Sequence, residues 1–183
     1  MPSTWGAAWR WAHVGPLTSG DPLRPFESGD GSDVVALVVA AGMFSKDEAA
    51  FLAEGALEDT DDGASCFVED AEDGQGLASV LYYRPEDAAD RAYDLTMIAV
   101  RPDLQGGGRG ASLMRHAEDD LERRGQRLLV VRTSGTQQYA KTRNFYRGLG
   151  YAEQSRVADY WADGDDLVLF TRRLDGRPAR SES

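Results

Sequence analysis

A glycine-rich turn between an apolar strand and an amphipathic helix is the part of this sequence best suited to chemistry. Residues 99–121 read AVRPDLQGGGRGASLMRHAEDDL, and Gly106, Gly107 and Gly108 lie just before the helical run. Backbone N–H groups at a helix start have no partner within the helix, and with the helix dipole they favour an anion. Glycines let a bulky anion approach the backbone closely. The segment therefore predicts a phosphate-binding turn.

Two common phosphate-binding motifs fit this turn poorly. A P-loop ends in Gly-Lys-Ser/Thr, and no lysine lies near these glycines. Gly106, Gly108 and Ala111 satisfy the G-x-G-x-x-A pattern of dinucleotide-binding folds. That fold requires an acidic residue after the next strand to bind the ribose, whereas the next strand here ends VVRTS. Neither motif accounts for the turn.

The turn and a second segment together resemble the acetyl-CoA signature of the GNAT acyltransferase superfamily. IAVRPDLQGGGRGASLM has the family's strand ending, followed by the Gln-x-x-Gly-x-Gly spacing at Gln105, Gly108 and Gly110. NFYRGLGY at 144–151 is similar to the family's second landmark. The resemblance covers residues 23–174 and implies a GNAT fold that uses acetyl-CoA as acyl donor and no metal.

The resemblance also implies which residues bind acetyl-CoA. The loop N–H groups would hold the pyrophosphate, and Arg109 would add a charge-assisted contact; a solvated surface arginine is the alternative. The strand end would pair with the pantetheine amides as a further strand does. Asn144 matches a residue that contacts the pantetheine arm, with a helix-surface amide as the alternative. The predicted cofactor-binding residues are Ile98, Val100, Gln105, Gly106, Gly107, Gly108, Arg109, Gly110, Ala111, Asn144 and Tyr146.

Two side chains and one backbone group are implied to carry the transfer itself. Tyr146 matches the tyrosine that hydrogen-bonds the sulfur of coenzyme A and acts as general acid; packing without proton transfer is the alternative. The backbone N–H of Val100 matches the donor to the thioester oxygen. Asp94, six residues before Val100, matches the base of the histone-acetylating branch. Many relatives use water instead, so a surface acid is the alternative for Asp94.

Other residues are weaker candidates for the base or for the acceptor pocket. The stretch 54–73 holds nine acidic residues and no Lys or Arg. Acid beside the site would concentrate a cationic amine, although a solvated acidic face is the alternative. His116 is expected on the exposed side of the helix and is not assigned a role. The weaker candidates are Glu69, Asp159 and Tyr160 for the base, and Thr96, Tyr82, Tyr83 and Trp161 for the pocket. A place in the core or at the rim is the equal alternative for each of the four pocket candidates.

Hydrophobic periodicity predicts the elements that position these residues. A short strand and turn at 23–30 precede two helices at 32–44 and 45–59. Strands at 64–70, 75–87 and 92–100, a helix at 108–124, a strand at 126–134, a helix at 139–150 and two closing strands ending at 174 follow. The order predicts an α/β (α+β) chain with a mixed, mostly antiparallel sheet of six or seven strands and helices on both faces. Residues 1–22 are predicted to be an extension, and 175–183 a loose tail.

Composition limits the class of protein. The chain has 183 residues, 42% of them hydrophobic, which is enough for one domain with a real core. It lacks an apolar run of the roughly 18 residues that a membrane span needs. It also lacks a basic and apolar leader, and Cys66 is its only cysteine, so a cytoplasmic location is expected. The net charge of −11 is opposite to that of a dedicated nucleic-acid binder.

The resemblance implies an N-acetyltransferase that acts on a primary amine. A small cationic amine is the preferred acceptor, and a protein N-terminus or lysine is the alternative. A non-catalytic acyl-CoA sensor is a second alternative, against which the presence of Tyr146 argues. A homodimer is a further expectation, because the closing strands leave sheet edges that need covering.

Overall fold

A seven-stranded sheet with helices on both faces organises the chain, of which the computed structural model describes residues 22–45, 49 and 63–176. The strands are β1 (Leu23–Pro25), β2 (Ser65–Asp70), β3 (Leu77–Pro85), β4 (Ala92–Val100), β5 (Leu128–Ser134), β6 (Ala152–Ala162) and β7 (Asp165–Arg173). The helices are α1 (Gly31–Ala40), α2 (Arg109–Arg123) and α3 (Ala140–Gly148).

The strands lie in the order β1-β2-β3-β4-β5-β7-β6. All neighbours are antiparallel except β4 and β5, which run parallel because α2 crosses over between them. The last strand, β7, is inserted between β5 and β6. This confirms the predicted mixed, mostly antiparallel sheet.

Each face of the sheet has its own apolar core. On one face α2 contributes Leu113, Met114, Ala117 and Leu121, all within 1% of complete burial, at the three- and four-residue spacings of a single helix stripe. On the other face α1 contributes Val34, Leu37 and Val38 to a separate cluster. Since both faces are covered by helices, the predicted layering is confirmed.

A one-residue bulge in β4 decides which side chains face each core. Tyr82 pairs with Met97, but the next β3 residue, Tyr83, pairs with Leu95, so Thr96 is the extra residue of β4. Leu95 packs on the α2 side and Met97 on the α1 side. Without the bulge these two residues would share a face, because strand side chains alternate.

The elements that hold the motifs agree with their predicted positions. Helix α2 was predicted at 108–124 and α3 at 139–150, each within two residues of the observed ends. The predicted helix at 45–59 lies outside the described residues except for Ser45 and Ala49. The same is true of the extension at 1–22, apart from residue 22, and of the tail beyond residue 176.

Strand β6 forms an exposed edge of the sheet. It pairs with β7 alone, and all of its residues are exposed. The homodimer expected from such edges stays a prediction. In the part of the chain that the structure describes, the helices are too short or too polar to cross a membrane.

Candidate active site

Strands β4 and β5 separate beside the glycine-rich turn. Their parallel pairing ends at Leu95 opposite Val131. Beyond that point β4 continues to Val100 alongside β3, and β5 continues to Ser134 alongside β7. The ends of the two strands therefore leave a V-shaped opening in the middle of the sheet.

The free edge of β4 faces this opening with the backbone groups of Ile98 and Val100. The Arg101 amide donates to the Ala78 carbonyl at 2.9 Å, and hydrogen-bonded pairs alternate with non-hydrogen-bonded ones along an antiparallel ladder. The N–H and C=O groups of Ile98 and Val100 therefore point away from β3 and toward β5. One of these groups, the Val100 carbonyl, accepts a hydrogen bond from the Gln105 side-chain amide at 3.0 Å.

The glycine-rich turn presents open backbone at the start of α2. Gly106 and Gly108 have φ values of +84° and +88°, in the left-handed region that favours glycine. A Cβ atom at either position, or at Gly107, would meet no atom within 4 Å. The space beside these three glycines is therefore not needed for the packing of the described residues.

The first turn of α2 supplies the N–H donors. The amide of Ser112 donates to the Gly108 carbonyl, so the N–H groups of Arg109, Gly110 and Ala111 precede the first bond within the helix. No side chain caps this end of α2 among the described residues. Gly110 also has a packing role, because a Cβ there would lie 3.3 Å from the Phe145 ring of α3. Its backbone N–H is still available to an anion.

Arg109 points to carboxylates rather than into open space. Its Nη1 atom is paired with Oε1 of Glu69, at the end of β2, and its Nη2 atom lies 3.5 Å from Oε1 of Glu72. A solvated surface arginine is therefore not what the structure contains. A contact between Arg109 and a pyrophosphate stays a prediction.

Tyr146 lies in the core on the α2 side, at 3% exposure. Its ring contacts those of Phe145, Tyr151 and Phe170, with centroids 5.2–5.8 Å apart. Burial, and secondarily the negative charge of Asp94, raise the pKa of Tyr146 above the ordinary tyrosine value. The phenol therefore keeps its proton, as a general acid must, and Asp94 lies near enough for its charge to act on Tyr146.

Asp94 sits where β4 and β5 are about to separate. Its carboxylate is paired with Arg132 of β5 and accepts a hydrogen bond from Thr96 at 3.2 Å. Arg132 also pairs with Glu86, in the loop after β3. Burial raises the pKa of Asp94 and outweighs the opposing effect of Arg132. The carboxylate is therefore more basic than that of an ordinary aspartate.

Asn144 lies on a different face of α3 from Tyr146. It is exposed, and its side-chain oxygen accepts a hydrogen bond from Arg147 at 2.9 Å. Arg143 and Tyr146, three residues apart, form the buried face of the helix. The structure thus gives Asn144 a helix-surface partner, and its contact with the pantetheine arm stays a prediction.

Two of the predicted acceptor-pocket residues belong to the cores instead. Tyr83 is fully buried, and its hydroxyl donates to Asp120 of α2 at 2.8 Å. Tyr82 is 7% exposed and packs in the cluster on the α1 side. For both residues the structure contains the core alternative, because neighbouring strand residues point to opposite faces and each face here is covered by a helix.

An aromatic pair lies beside the end of β5. Tyr160 and Trp161 of β6 are about half exposed, and their rings meet edge to face at 4.8 Å. The Trp161 indole N–H points to the carbonyl of Thr133, which is part of the β5 end that has lost its β4 partner. Asp159 accepts the amide of Gly164 at 2.7 Å and shapes the adjoining turn. Of the predicted pocket residues, Trp161 and the exposed Thr96 thus remain near the opening.

The described part of the acidic stretch is largely neutralised. Glu69 and Glu72 face Arg109, whereas Asp70 and Asp73 pair with other arginines. Glu69 also accepts a hydrogen bond from Ser79, so both of its oxygens are engaged and it is poorly placed to act as a base. Residues 54–62 of the stretch lie outside the described residues.

His116 was expected on the exposed side of α2, and this was wrong. It is half-buried, with its ring edge-on to Phe67 of β2 at 4.5 Å. The polar positions of α2 include residues that lean toward the sheet, which helical periodicity alone does not resolve.

Two arginines near the opening were missed by the sequence analysis. Arg132 of β5 pairs with both Asp94 of β4 and Glu86 of the loop after β3. Arg143 is buried and donates to the carbonyls of Ser134 and Thr136 at 2.7 and 2.8 Å, which holds the end of β5. Arg132 could have been found, because it is an arginine inside an otherwise apolar strand. Arg143 could not, because no local pattern distinguishes it from the exposed arginines of the chain. Within the described ranges, no three His, Cys, Asp or Glu residues are grouped so as to hold a metal.

The chain is similar to a known protein family in sequence and to solved structures in fold. The family model described as acetyltransferase (GNAT) family matches residues 37–151. Among curated proteins, no sequence matches the chain. A GNAT-family structure from Desulfovibrio desulfuricans is similar, with 29% identity and a TM-score of 0.75 over 83% of this chain and 98% of that one.

Two solved enzymes with named acceptors share the fold at lower identity. The ribosomal-protein-S18-alanine N-acetyltransferase from Escherichia coli has 20% identity and a TM-score of 0.67, over 88% of this chain and 98% of that one. An aminoglycoside 6'-N-acetyltransferase complexed with coenzyme A has 14% identity and a TM-score of 0.67, over 86% and 99%. One of these acceptors is a protein and the other a small molecule.

Proposed function

The chain belongs to the acetyltransferase (GNAT) family, and on that premise we propose that it transfers the acetyl group of acetyl-CoA to a primary amine. The observation that supports this most strongly is the meeting of three features at one place. These are the opening between β4 and β5, the uncapped start of α2, and a protonated tyrosine whose pKa is raised by burial and by the charge of Asp94.

The backbone would bind and orient the donor. The N–H groups at the start of α2 and its preceding loop would hold the pyrophosphate, and the outward groups of Ile98 and Val100 would pair with the pantetheine amides. Acetyl-CoA supplies an acyl thioester, whose carbonyl carbon is attacked by the lone pair of a neutral amine. The Val100 N–H would stabilise the negative charge that develops on the thioester oxygen.

Tyr146 and a base would move the protons. As the carbon–sulfur bond breaks, Tyr146 gives its proton to the leaving thiolate and is reprotonated from solvent. The attacking nitrogen loses its proton to Asp94, directly or through a water molecule. Burial favours Asp94 in this role because it makes the carboxylate more basic, whereas the ion pair with Arg132 favours water as the base.

We expect Asp94→Asn to remove part of the pH dependence of the rate. The pKa of Asp94 is raised in the folded protein, so Asp94 is protonated and inactive below that pKa, and kcat/KM rises with pH as the proton leaves. Asparagine cannot titrate, so the variant loses this rise and keeps only the rise from deprotonation of the amine. The measurement is kcat/KM against pH for both proteins.

Glu86→Gln is the matched control for this experiment, because Glu86 pairs with the same Arg132. It should keep the rise of kcat/KM with pH, moved to lower pH, because the charge of Glu86 is one of the effects that raise the pKa of Asp94. If Asp94→Asn instead keeps the wild-type pH profile, water is the base and the carboxylate is structural.

The proposed acceptor is a small cationic amine. The net charge of −11 attracts cations over distance, and the exposed rings of Tyr160 and Trp161 provide faces that attract an ammonium group at close range. A protein N-terminus or lysine is the second candidate, favoured by the openness of the surface around β6.

The function is tested by thiol release from acetyl-CoA with polyamines, aminoglycosides, amino acids and short peptides as acceptors. Turnover with a polyamine or aminoglycoside supports the proposal, and turnover with peptides alone replaces the small amine by a protein acceptor. Tight binding of acetyl-CoA without turnover on any amine contradicts the proposed enzyme and supports an acyl-CoA sensor.

A further inference from the structure

Both ends of the glycine-rich loop are joined to the turn between β2 and β3. Before the loop, Arg101 pairs with Asp73 at 2.7 Å and donates to the Gln75 carbonyl at 3.1 Å. After the loop, Arg109 pairs with Glu69 and lies 3.5 Å from Glu72. The end of β2 and the acidic turn that follows it therefore anchor both arginines that flank the predicted anion site.

Among the ion pairs of Arg101 and Arg109, the Glu69–Arg109 pair is distinguished by a buried carboxylate. Glu69 is 5% exposed, and its second oxygen accepts a hydrogen bond from the fully buried Ser79 at 2.8 Å. Glu72, by contrast, is 92% exposed and is screened by water. Without Arg109, Glu69 would be an uncompensated charge in a poorly polarisable environment.

That charge would lie close to the place where a phosphate binds. Arg109 is the first residue of α2, and an extended arginine side chain places its partner about 10 Å or less from its own backbone. At an effective dielectric constant of about 20, one uncompensated charge at this distance changes the affinity for a second charge roughly tenfold or more. A bare Glu69 would therefore oppose the N–H donors at the start of the same helix.

We propose that Arg109 is a positioning residue that neutralises buried Glu69, so that the start of α2 is free to bind the pyrophosphate of coenzyme A. This rests on the proposed use of acetyl-CoA. It gives Arg109 a role other than direct contact with phosphate: the arginine acts through Glu69, and the backbone makes the contact.

A double-mutant cycle tests the proposal, with coenzyme A as the probe and calorimetry on the full chain as the readout. Arg109→Met should raise the Kd at least tenfold, because it leaves Glu69 unpaired. Glu69→Gln should leave the Kd unchanged or lower it up to threefold. The double variant should return to within threefold of wild type, although it lacks the arginine entirely. With turnover as readout, Arg109→Met should raise the KM for acetyl-CoA and leave kcat at saturation unchanged.

Arg24→Met is the matched control. Arg24 also bridges two carboxylates, Asp30 and Asp70, and Asp70 is the residue after Glu69, but Arg24 lies on the β1 side, away from the loop. This control should lose thermal stability and keep the affinity for coenzyme A.

The outcomes that contradict this proposal can be distinguished from the one that contradicts the proposed function. A double variant as weak as Arg109→Met means that Arg109 contacts the phosphate itself, which overturns the proposal. A tenfold weaker Glu69→Gln overturns it as well, because Glu69 would then be required. If Arg109→Met does not fold, the other two variants still decide the question. Failure of the wild type to bind coenzyme A contradicts the proposed function instead.

Discussion

Gly108→Asp should abolish binding of acetyl-CoA, with a Kd raised at least a hundredfold. Gly108 is the residue before α2, has φ of +88°, and has open space where a side chain would project. An aspartate there brings a negative charge and added bulk to the N–H groups that would bind the pyrophosphate. The anion then meets both electrostatic repulsion and a side chain in the open space.

The fold should survive this substitution. The left-handed conformation costs an L residue about 1–2 kcal/mol, and aspartate is among the residues that adopt it most readily. Calorimetry with acetyl-CoA gives the affinity, and thermal unfolding checks the fold.

Two further variants separate charge from strain. Gly108→Ala has the strain without the charge and should weaken binding only partly. Gly125→Asp introduces a charge at a glycine with φ of +71° and open space beyond the other end of α2, and it should bind acetyl-CoA normally. Retention of wild-type affinity by Gly108→Asp would remove the turn from the cofactor site.

The turn could be predicted from sequence because its determinants are local. The unpaired N–H groups of a helix start, the glycines before them and the apolar stripe of α2 are all contained within 25 or so residues. The bounds of α2 and α3 followed from the same kind of information. The backbone groups of Ile98 and Val100 face the opening between β4 and β5, and their contact with acetyl-CoA stays a prediction.

The opening itself was not contained in any local pattern. It depends on pairing between β4 and β5 that stops at Leu95 opposite Val131, and on the insertion of β7 beside β5. The bulge at Thr96 is likewise a property of two strands, not of one.

The partners of charged residues were equally beyond the sequence. Arg109 and Glu69 are 40 residues apart, and Arg132 and Asp94 are 38 apart. Charge composition indicates that such pairs form but not which ones. For Tyr82 and Tyr83 the sequence already limits the choice, since the alternation of a strand prevents the two side chains from lining the same pocket.

Tyr146→Phe should lower kcat by about a hundredfold or more, the usual contribution of a positioned general acid, and leave the Kd for acetyl-CoA within about twofold of wild type. The ring contacts with Phe145, Tyr151 and Phe170 are kept by phenylalanine, so packing is preserved. Only the proton that stabilises the leaving thiolate is lost. Steady-state turnover together with calorimetry separates the two quantities.

Tyr151→Phe is the matched control, because Tyr151 belongs to the same aromatic cluster and is buried. Its hydroxyl donates to the carboxylate of Glu118 at 2.8 Å, so its loss should cost about 1.5–3 kcal/mol of stability without a change in kcat. Equal turnover of Tyr146→Phe and wild type would make Tyr146 a packing residue. In that case the thiolate would leave unprotonated or take its proton from water.

The pH dependence provides an independent check on Tyr146. Because burial and Asp94 raise the pKa of Tyr146, the acid form persists above pH 10, the ordinary value for tyrosine being about 10. The wild-type rate should therefore show no alkaline fall from this residue below that pH. A fall in the wild-type rate below about pH 10 that is absent from Tyr146→Phe would contradict a raised pKa of Tyr146. It would mean that a positively charged group lowers this pKa during turnover.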